Sequence, residues 1–357
     1  MNKMNLEDLE WKEFKIGEIF KLEDREQKQV PTGAYIKKEY LRKGSVPRIT
    51  VTSTNNGIDD FWETEHKNNR CFENFISVSF LGNAFYHKYK ASLDMKVHVL
   101  QLKDTKLNKY IANFLITAIK NNTKDSSYGN QLSSTDLPRK SILLPINNQG
   151  NPDYVVMEEL GKKKERELID EYVTFAKVAL QQINITSLVP LEEKQWKPFT
   201  INKIFTVLSG KRLESYNMTL GERPFIGATD SENGITNYVS NKNESLDKNV
   251  LGVNYNGNGM AISFYHQYEC LFSDDVKRFH LKEYPDNKYV LLFFKAIILQ
   301  QKPKYNYGYK FNGTRMKRQI IMLPANDAGN PDYEYMEQYI KNLMIKKYKA
   351  YLEYVEK

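Results

Sequence analysis

Nowhere in these 357 residues does an apolar run approach the ~20 that a membrane-crossing helix requires. The opening MNKMNLEDLE is polar and acidic where a secretory leader would be basic and then apolar. Both absences point to a soluble, cytoplasmic protein with no membrane partner. Cysteine is nearly missing too. Cys71 and Cys270 fall at non-equivalent places in the repeat described below, which argues against a disulfide framework or a shared metal site and leaves both as ordinary buried thiols. Catalytic motifs are lacking as well: no N-P-P-Y tetrad, P-loop, DEAD-like box or H-E-x-x-H occurs. GNGMAISF at Gly257 has the glycines of a phosphate loop without the rest of the motif, and reads as a tight turn. Pro152-Asp153 with downstream Glu-x-Lys patterns imitates a nuclease centre, but turn and helix-start roles account for it. No catalytic residue, metal or cofactor is expected.

What the chain has is itself, twice. GNPDY occurs at 150–154 and 329–333, and the same offset of 179 aligns Arg139 with Arg318, Leu144-Pro145 with Leu323-Pro324, Asn147 with Asn326, and Asn108-Lys109-Tyr110 with Asn287-Lys288-Tyr289. Ten of the sixteen positions from 139 to 154 are identical, which places the repeat ahead of any reading of the fold. FYH recurs at Phe85 and Phe264, WKEFKIGEIF at Trp11 matches WKPFTINKIF at Trp196 with an offset of 185, and Pro47 with Asn56-Gly57 matches Pro224 with Asn233-Gly234 at 177. SLDMKVHVL from Ser92 lies over SDDVKRFHL from Ser273 at 181. GNPDY itself reads as a turn and helix start, with Asn as cap, Pro at the first helical position and Asp at the positive end of the dipole.

Each copy has the same internal order. Short apolar alternations such as FISVSF and KVHVLQL read as strands, NKYIANFLITAI and NKYVLLFFKAIIL as one buried helix each, and SILLP or QIIMLP as a last strand before the GNPDY helix. In the second copy Met336, Ile340, Leu343, Met344, Tyr348, Tyr351, Leu352 and Val355 recur at spacings of three and four. Ile169, Tyr172, Val173 and Ala176 sit 179 behind the last four of these. A helix over 152–183 would span on the order of 48 Å, too long for one small domain. The expected fold is therefore α+β: two tandem globular α/β units separated by two long helices packed as an antiparallel coiled coil, related by a pseudo-twofold axis. The boundaries are 1–150 for the first unit, 151–186 for the first long helix, 187–329 for the second unit and 330–357 for the second helix. The net charge is +8, and residues 153–183 carry −2, so the rest carries +10. A basic pair of units with 24 Tyr and 18 Phe suits a polyanion.

The W-K-x-F-x-I-x-x-I-F opening, the Gly/Asn-rich middle, the Leu-Pro strand end and the long helix, all repeated once, resemble the specificity subunits of bipartite restriction-modification systems. The junction at 144–158 and 323–337, LP-x-N-x-x-G-x-PDY-x-x-M-E, resembles the BcgI-like Type IIB branch more than the Type I subunits with a Leu-Pro-Pro-rich junction. The resemblance implies two target-recognition domains, each reading half of a split duplex DNA sequence. It also implies that the paired helices act as a ruler and as a dock for methyltransferase or fused restriction-methyltransferase subunits. Rival readings are a catalytic repeat protein, a hydrolase or nuclease with one site per copy, and a non-catalytic protein scaffold. No nucleophile-base or carboxylate pair recurs at equivalent places, which disfavours the first.

Base readers should lie in loops that differ between copies within a constant frame. The candidates in the first copy are Thr52, Ser53, Thr54, Asn55, Asn83, Tyr86, His87, Lys88, Tyr128, Asn130, Gln131 and Arg139. In the second they are Thr229, Ser231, Glu232, Asn256, Asn258, Tyr265, His266, Gln267, Tyr307, Tyr309, Lys310 and Arg318. Asn and Gln can pair with adenine, Arg and Lys with guanine, and Tyr or Lys can hold phosphates. For any one of them a surface or turn role competes, and the duplicated His87 and His266 are equally suited to burial.

Overall fold

Each Trp-Lys opening becomes a strand that pairs with the Leu-Pro strand at the far end of its own copy. The computed structural model describes residues 6–256, 259–306 and 308–357, in two units, Met1–Glu171 and Tyr172–Lys357. The first runs β1 (Trp11–Lys15), α1 (Ile16–Ile19), β2 (Arg42–Ile49), β3 (Ile58–Glu63), β4 (Cys71–Phe72), β5 (Phe75–Ser79), β6 (Ala84–His87), β7 (Ala91–Leu93), β8 (Val97–Leu100), α2 (Lys109–Thr123), β9 (Ser141–Pro145) and the start of α3 (Tyr154–Gln182). After α3 the second runs β10 (Trp196–Thr200), α4 (Ile201–Ile204), β11 (Phe205–Ser209), β12 (Leu220–Ile226), β13 (Ile235–Val239), β14 (Val250–Asn254), β15 (Ser263–His266), β16 (Leu271–Phe272), β17 (Val276–Leu281), α5 (Lys288–Leu299), α6 (Gly313–Arg318), β18 (Ile320–Pro324) and α7 (Tyr333–Val355). Both units are mixed α+β.

In the first unit the sheets are β1-β9, β3-β2-β7-β4 and β6-β5-β8; in the second they are β10-β18, β13-β12-β16 and β11-β17-β14-β15. Burial follows the pattern of each strand. FISVS in β5 is buried throughout, whereas IDDFWE in β3 alternates, as a strand with one face in solvent must. The core of the first unit gathers Phe20, Ile76, Leu100, Leu115 and Ile142; that of the second gathers Phe205, Phe279, Leu291, Phe294 and Ile321. Cys270 is buried, which pushes its thiol up to about 12, while Cys71 is only half-buried.

Strand pairing corrects one alignment made from sequence. Ser77 pairs with Val99, and Gly252 with Arg278, while the flanking Ile76 and Leu251 face Tyr86 and Tyr265 of the two FYH strands. Val99 is therefore the counterpart of Arg278, an offset of 179 and not 181. The offset changes earlier, in the loop between β14 and β15, which is longer than the turn between β5 and β6.

GNPDY also differs in detail. Pro152 and Pro331 are not the first helical residues: they form isolated bridges with Ile146 and Ala325. Asp153 Oδ1 accepts from Val156 N at 3.0 Å, and Asp332 Oδ1 from Tyr335 N at 3.1 Å, so the aspartate is the cap. Gly150 (φ +74°) and Gly329 (φ +78°) make the left-handed step before it.

The long helix is fastened to its unit by a second capping residue. Asn108 Oδ1 accepts from Tyr110 N and Ile111 N at the start of α2, and its Nδ2 donates to Glu158 of α3 at 2.8 Å. Asn287 does the same for Tyr289 N and Val290 N of α5, donating to Glu337 of α7 at 2.7 Å. Lys162 and Lys341, one turn on, pair with these glutamates. Within the second unit, residues from 172 onward pack on α7 in reverse order: Tyr172 meets Tyr351 edge-on at 4.6 Å, Phe175 meets Tyr348, Thr186 N donates to Asn342 and Gln338 donates to Asn184 O. Leu343, counted in the stripe, is exposed, and Ile345 is buried in its place.

Replacing Asn287 with Ala removes the cap of α5 and a hydrogen bond to Glu337. The expected loss is about 1–2 kcal/mol, measured as a lower urea midpoint. Asn287→Asp keeps the cap but sets a second carboxylate against Glu337, so it should not restore wild-type stability.

Candidate nucleic-acid interface

One turn is built identically in both units. It joins β2 to β3 and β12 to β13, and three successive residues in each take the left-handed conformation: Asn55, Asn56 and Gly57 at φ +49°, +55° and +75°, and Glu232, Asn233 and Gly234 at +48°, +53° and +81°. For a residue with a Cβ this conformation costs about 1–2 kcal/mol, so the surroundings must hold it. Gly57 N donates to Thr54 O and Gly234 N to Ser231 O. Thr52 and Thr54 hydroxyls lie 3.2 Å apart, as do those of Thr229 and Ser231. Asn56 Nδ2 donates to the Tyr89 hydroxyl, and Asn233 Nδ2 to that of Tyr268. A side chain at Gly57 or Gly234 would press on Phe85 or Phe264 of the FYH strand, at 3.2 and 3.3 Å. Ser53, Thr54 and Asn55 are exposed, as are Asp230, Ser231 and Glu232.

β6 and β15 bring further candidates beside this turn. Lys88 and Gln267 are exposed just past each strand. Asn83 closes the β5–β6 turn, where Ser79 N donates to its carbonyl. Tyr128, 78% exposed, sets its ring edge against Phe80 of the same turn, and Gln131 accepts from Lys96. Asn130 donates to Asp125 O. In the second unit Asn256 donates to Asp275, Tyr309 stacks on Tyr305 beneath Arg315, and Lys310 offers its carbonyl to Arg315. Asn258 and Tyr307 lie outside the described residues. Arg139 and Arg318 are exposed, and Arg318 lines a cleft of about 430 Å³ with Thr200, Asn202, Thr314 and Lys317. Among the described residues no hydrogen bond or ion pair joins either arginine to the turn.

Four candidates face inward. Tyr86 OH donates to Leu107 O and Tyr265 OH to Asn249, so both phenols are tied to the fold. His87 and His266 are fully buried, and burial lowers each to about 4. His87 bonds Ser77 and Tyr89; His266 packs against Phe272. A neutral ring without solvent access cannot reach a phosphate or a base.

Sequence reasoning missed Tyr89 and Tyr268, although FYHKY and FYHQY show them in register. It also missed a cleft of about 530 Å³ in the first unit, lined by Arg42, Lys43, Trp62, Glu63 and Lys90 among others. Lys43 lies over the Trp62 ring at 4.4 Å and pairs with Asp60. Nothing in the strand alternation marked this cleft, because it needs the β2–β3 pairing to assemble.

The structure holds one histidine between two carboxylates. His280 Nδ1 meets Asp286 at 2.8 Å and its Nε2 meets Asp247 at 3.0 Å; these hydrogen bonds raise it to about 9. Charged and bonded at both nitrogens, it has no lone pair with which to act as a base. Its counterpart in the first unit is Gln101, so no such group recurs. Among the described residues no cluster of three or more His, Cys, Asp or Glu could hold a metal ion.

The family described as the Type I restriction modification DNA specificity domain matches residues 8–171 and again 193–354. The chain is 41% identical over 310 residues, 86% of its length and 88% of the relative's, to S.BcgI, a Type II restriction enzyme specificity subunit of Heyndrickxia coagulans. Among solved structures it is similar to the S subunit of a Type I restriction-modification system from M. genitalium, with a TM-score of 0.48 and 16% identity over 99% of this chain and 94% of that one. It is also similar to the HsdS subunit of Thermoanaerobacter tengcongensis, with a TM-score of 0.33 and 10% identity over 96% and 90%.

The buried histidines fix the acid side of the stability profile. Each has a folded value below its unfolded one of 6.5, so the unfolded chain binds more protons, and stability falls as pH drops from 6.5 toward 4. Each contributes about 3 kcal/mol to that fall. His280 acts oppositely: its stabilisation is complete below 6.5 and is lost as pH rises through 9. Urea midpoints across pH 4–9 measure this, and His266→Phe should flatten the acid limb.

Proposed function

The chain belongs to the family of Type I restriction-modification DNA specificity domains, of which it carries two copies, and from that membership we propose how the two copies divide the work. It is a non-catalytic specificity subunit that recognises a DNA target, and subunits of this kind assemble with methyltransferase subunits. We propose that each copy reads one half of a split duplex sequence, that α3 and α7 set the spacing between the halves, and that the same helices dock the methyltransferase or fused restriction-methyltransferase subunits. The single observation that carries this reading is the duplicated turn, with one backbone in both units and different exposed chemistry. The pairing of Tyr172 with Tyr351, its own counterpart at 179, supports an antiparallel helix pair about a pseudo-twofold axis. Leu168, Phe175 and Val178 of α3 are about half exposed, apolar surface suited to a docked subunit. The boundaries given above follow from this division. Among the described residues no helix is long and apolar enough to cross a membrane, which suits a subunit working on DNA in the cytoplasm.

Exchanging residues 47–139 with 224–318 tests the division. Both copies make the same asparagine-glutamate bond to the long helix, so the chimera should fold and read the same two half-sites with their orientation exchanged. Sequencing of methylated sites in cells carrying the assembled system provides the measurement. Adding one turn to α3 ahead of Tyr172 advances the chain ~5.4 Å, more than the ~3.4 Å between base pairs, so the spacer should change while both half-sites stay. An altered half-site with an unchanged spacer would remove the helices as ruler. If Lys and Arg supply the phosphate contacts, affinity should also fall steeply between 50 and about 200 mM salt, and binding titrations that hardly respond to salt would contradict it.

A further inference from the structure

The two turns differ at their exposed crest in one consistent way. With the backbone aligned at 177, Thr52, Thr54, Asn56 and Gly57 meet Thr229, Ser231, Asn233 and Gly234, side chains of like chemistry making like bonds. Ser53 and Asn55 meet Asp230 and Glu232. A neutral crest in one unit has become doubly acidic in the other, on a frame that did not move.

Among the described residues no hydrogen bond or ion pair engages the Asp230 side chain, which is exposed. The same holds for the Glu232 carboxylate. The position is left-handed, where Asn is several-fold enriched and Glu is not, so the first copy has the easier residue and the second has the costlier one. Two carboxylates on a surface that meets a polyanion also reduce affinity unless they accept hydrogen bonds there. Both costs become intelligible if the carboxylate accepts a hydrogen bond from a base.

We infer that Glu232, aided by Asp230, determines specificity in the second unit by accepting from the N4 amino group of a cytosine in the major groove. This rests on the reading of each unit as a half-site reader. Cytosine presents a donor on that edge, whereas guanine presents two acceptors and thymine one. Adenine pairs its amino group with the N7 acceptor, which repels a carboxylate and suits an amide. Asn55 at the equivalent place is such an amide: one N–H is used on Ile58 O, and a second N–H and its oxygen remain for an adenine edge. The acidic crest discriminates by repulsion as much as by attraction, because every base other than cytosine sets an acceptor against it.

The test uses the full chain co-expressed with the methyltransferase subunit of its own system and selected against a random duplex pool. The double variant Asp230→Ser, Glu232→Asn gives the second turn the crest of the first. It should lose a roughly ten- to hundred-fold preference for cytosine at one position of the second half-site, while the first half-site and the spacer stay as in the wild type. Asn55→Glu should move the first half-site toward cytosine. Asn in the left-handed slot should melt no lower than Glu, and if the double variant nonetheless unfolds, Glu232→Gln, which keeps the shape and adds a donor, decides by the same readout. An unchanged second half-site, or an equal loss of affinity on every sequence, overturns the inference while leaving the half-site reading in place. A wild-type complex that enriches no split motif overturns both.

Discussion

An asparagine whose two amide atoms are both committed determines how each long helix starts. Oδ1 of Asn108 or Asn287 must accept from the first turn of the buried helix, so Nδ2 must find an acceptor, and Glu158 or Glu337 supplies one from the long helix. The amide then has a single orientation, and the carboxylate a single place to be. Burial works against ionising Glu337, but hydrogen bonds from Lys341, Tyr284 and Asn287 outweigh it and hold the carboxyl below its ordinary value. Asp153 or Asp332 caps the long helix a turn earlier, and the bridge through Pro152 or Pro331 fixes the chain's approach to it. Three short-range constraints thus orient the helix start, and none uses a loop on the turn side of the unit.

That economy explains what the sequence revealed. Asn-Lys-Tyr, Leu-Pro and GNPDY-x-x-M-E stand out in both copies because they are the clamp, and a clamp that does the same job twice keeps the same residues. The two-unit α+β fold follows from the duplication, and the opposed packing of 172–183 on α7 follows from stripes in register. The 181 offset failed for a physical reason: SLDMK and SDDVK resemble each other in composition, and only backbone pairing, Ser77 to Val99 against Gly252 to Arg278, shows which residues share a place. Reading proline as the first helical residue places it two positions too far into the helix, because Pro and Asp both favour that region and hydrogen bonding selects Asp as the cap.

The turn that the sequence singles out is a defined feature of both copies, and burial sorts the residues grouped around it. Differences between copies pointed to the turn at 52–55 and 229–232, and β6 and β15 do lie beside it. His87 and His266 were drawn in by proximity. Their identity in both copies argues for a shared internal role, and both rings are fully buried. Tyr89 and Tyr268, identical in both copies, anchor Asn56 and Asn233 and so hold the turn.

The left-handed turn itself joins a constant frame to variable side chains. Strain of this kind persists only where neighbours over-determine it, and here Gly57 and Gly234 permit a close approach to an aromatic ring while a tyrosine hydroxyl holds the next residue back. Those anchors sit on the inner side. The crest residues on the outer side touch little, and an exposed substitution away from such anchors usually changes stability by less than about 0.5 kcal/mol. The turn therefore separates two demands that conflict in most recognition loops: its backbone is fixed by residues that do not vary between the copies, and the side chains it presents are free to vary because no part of the core depends on them. Two copies of one fold can then hold different chemistry at the same point in space, which is what reading two different halves of one target requires.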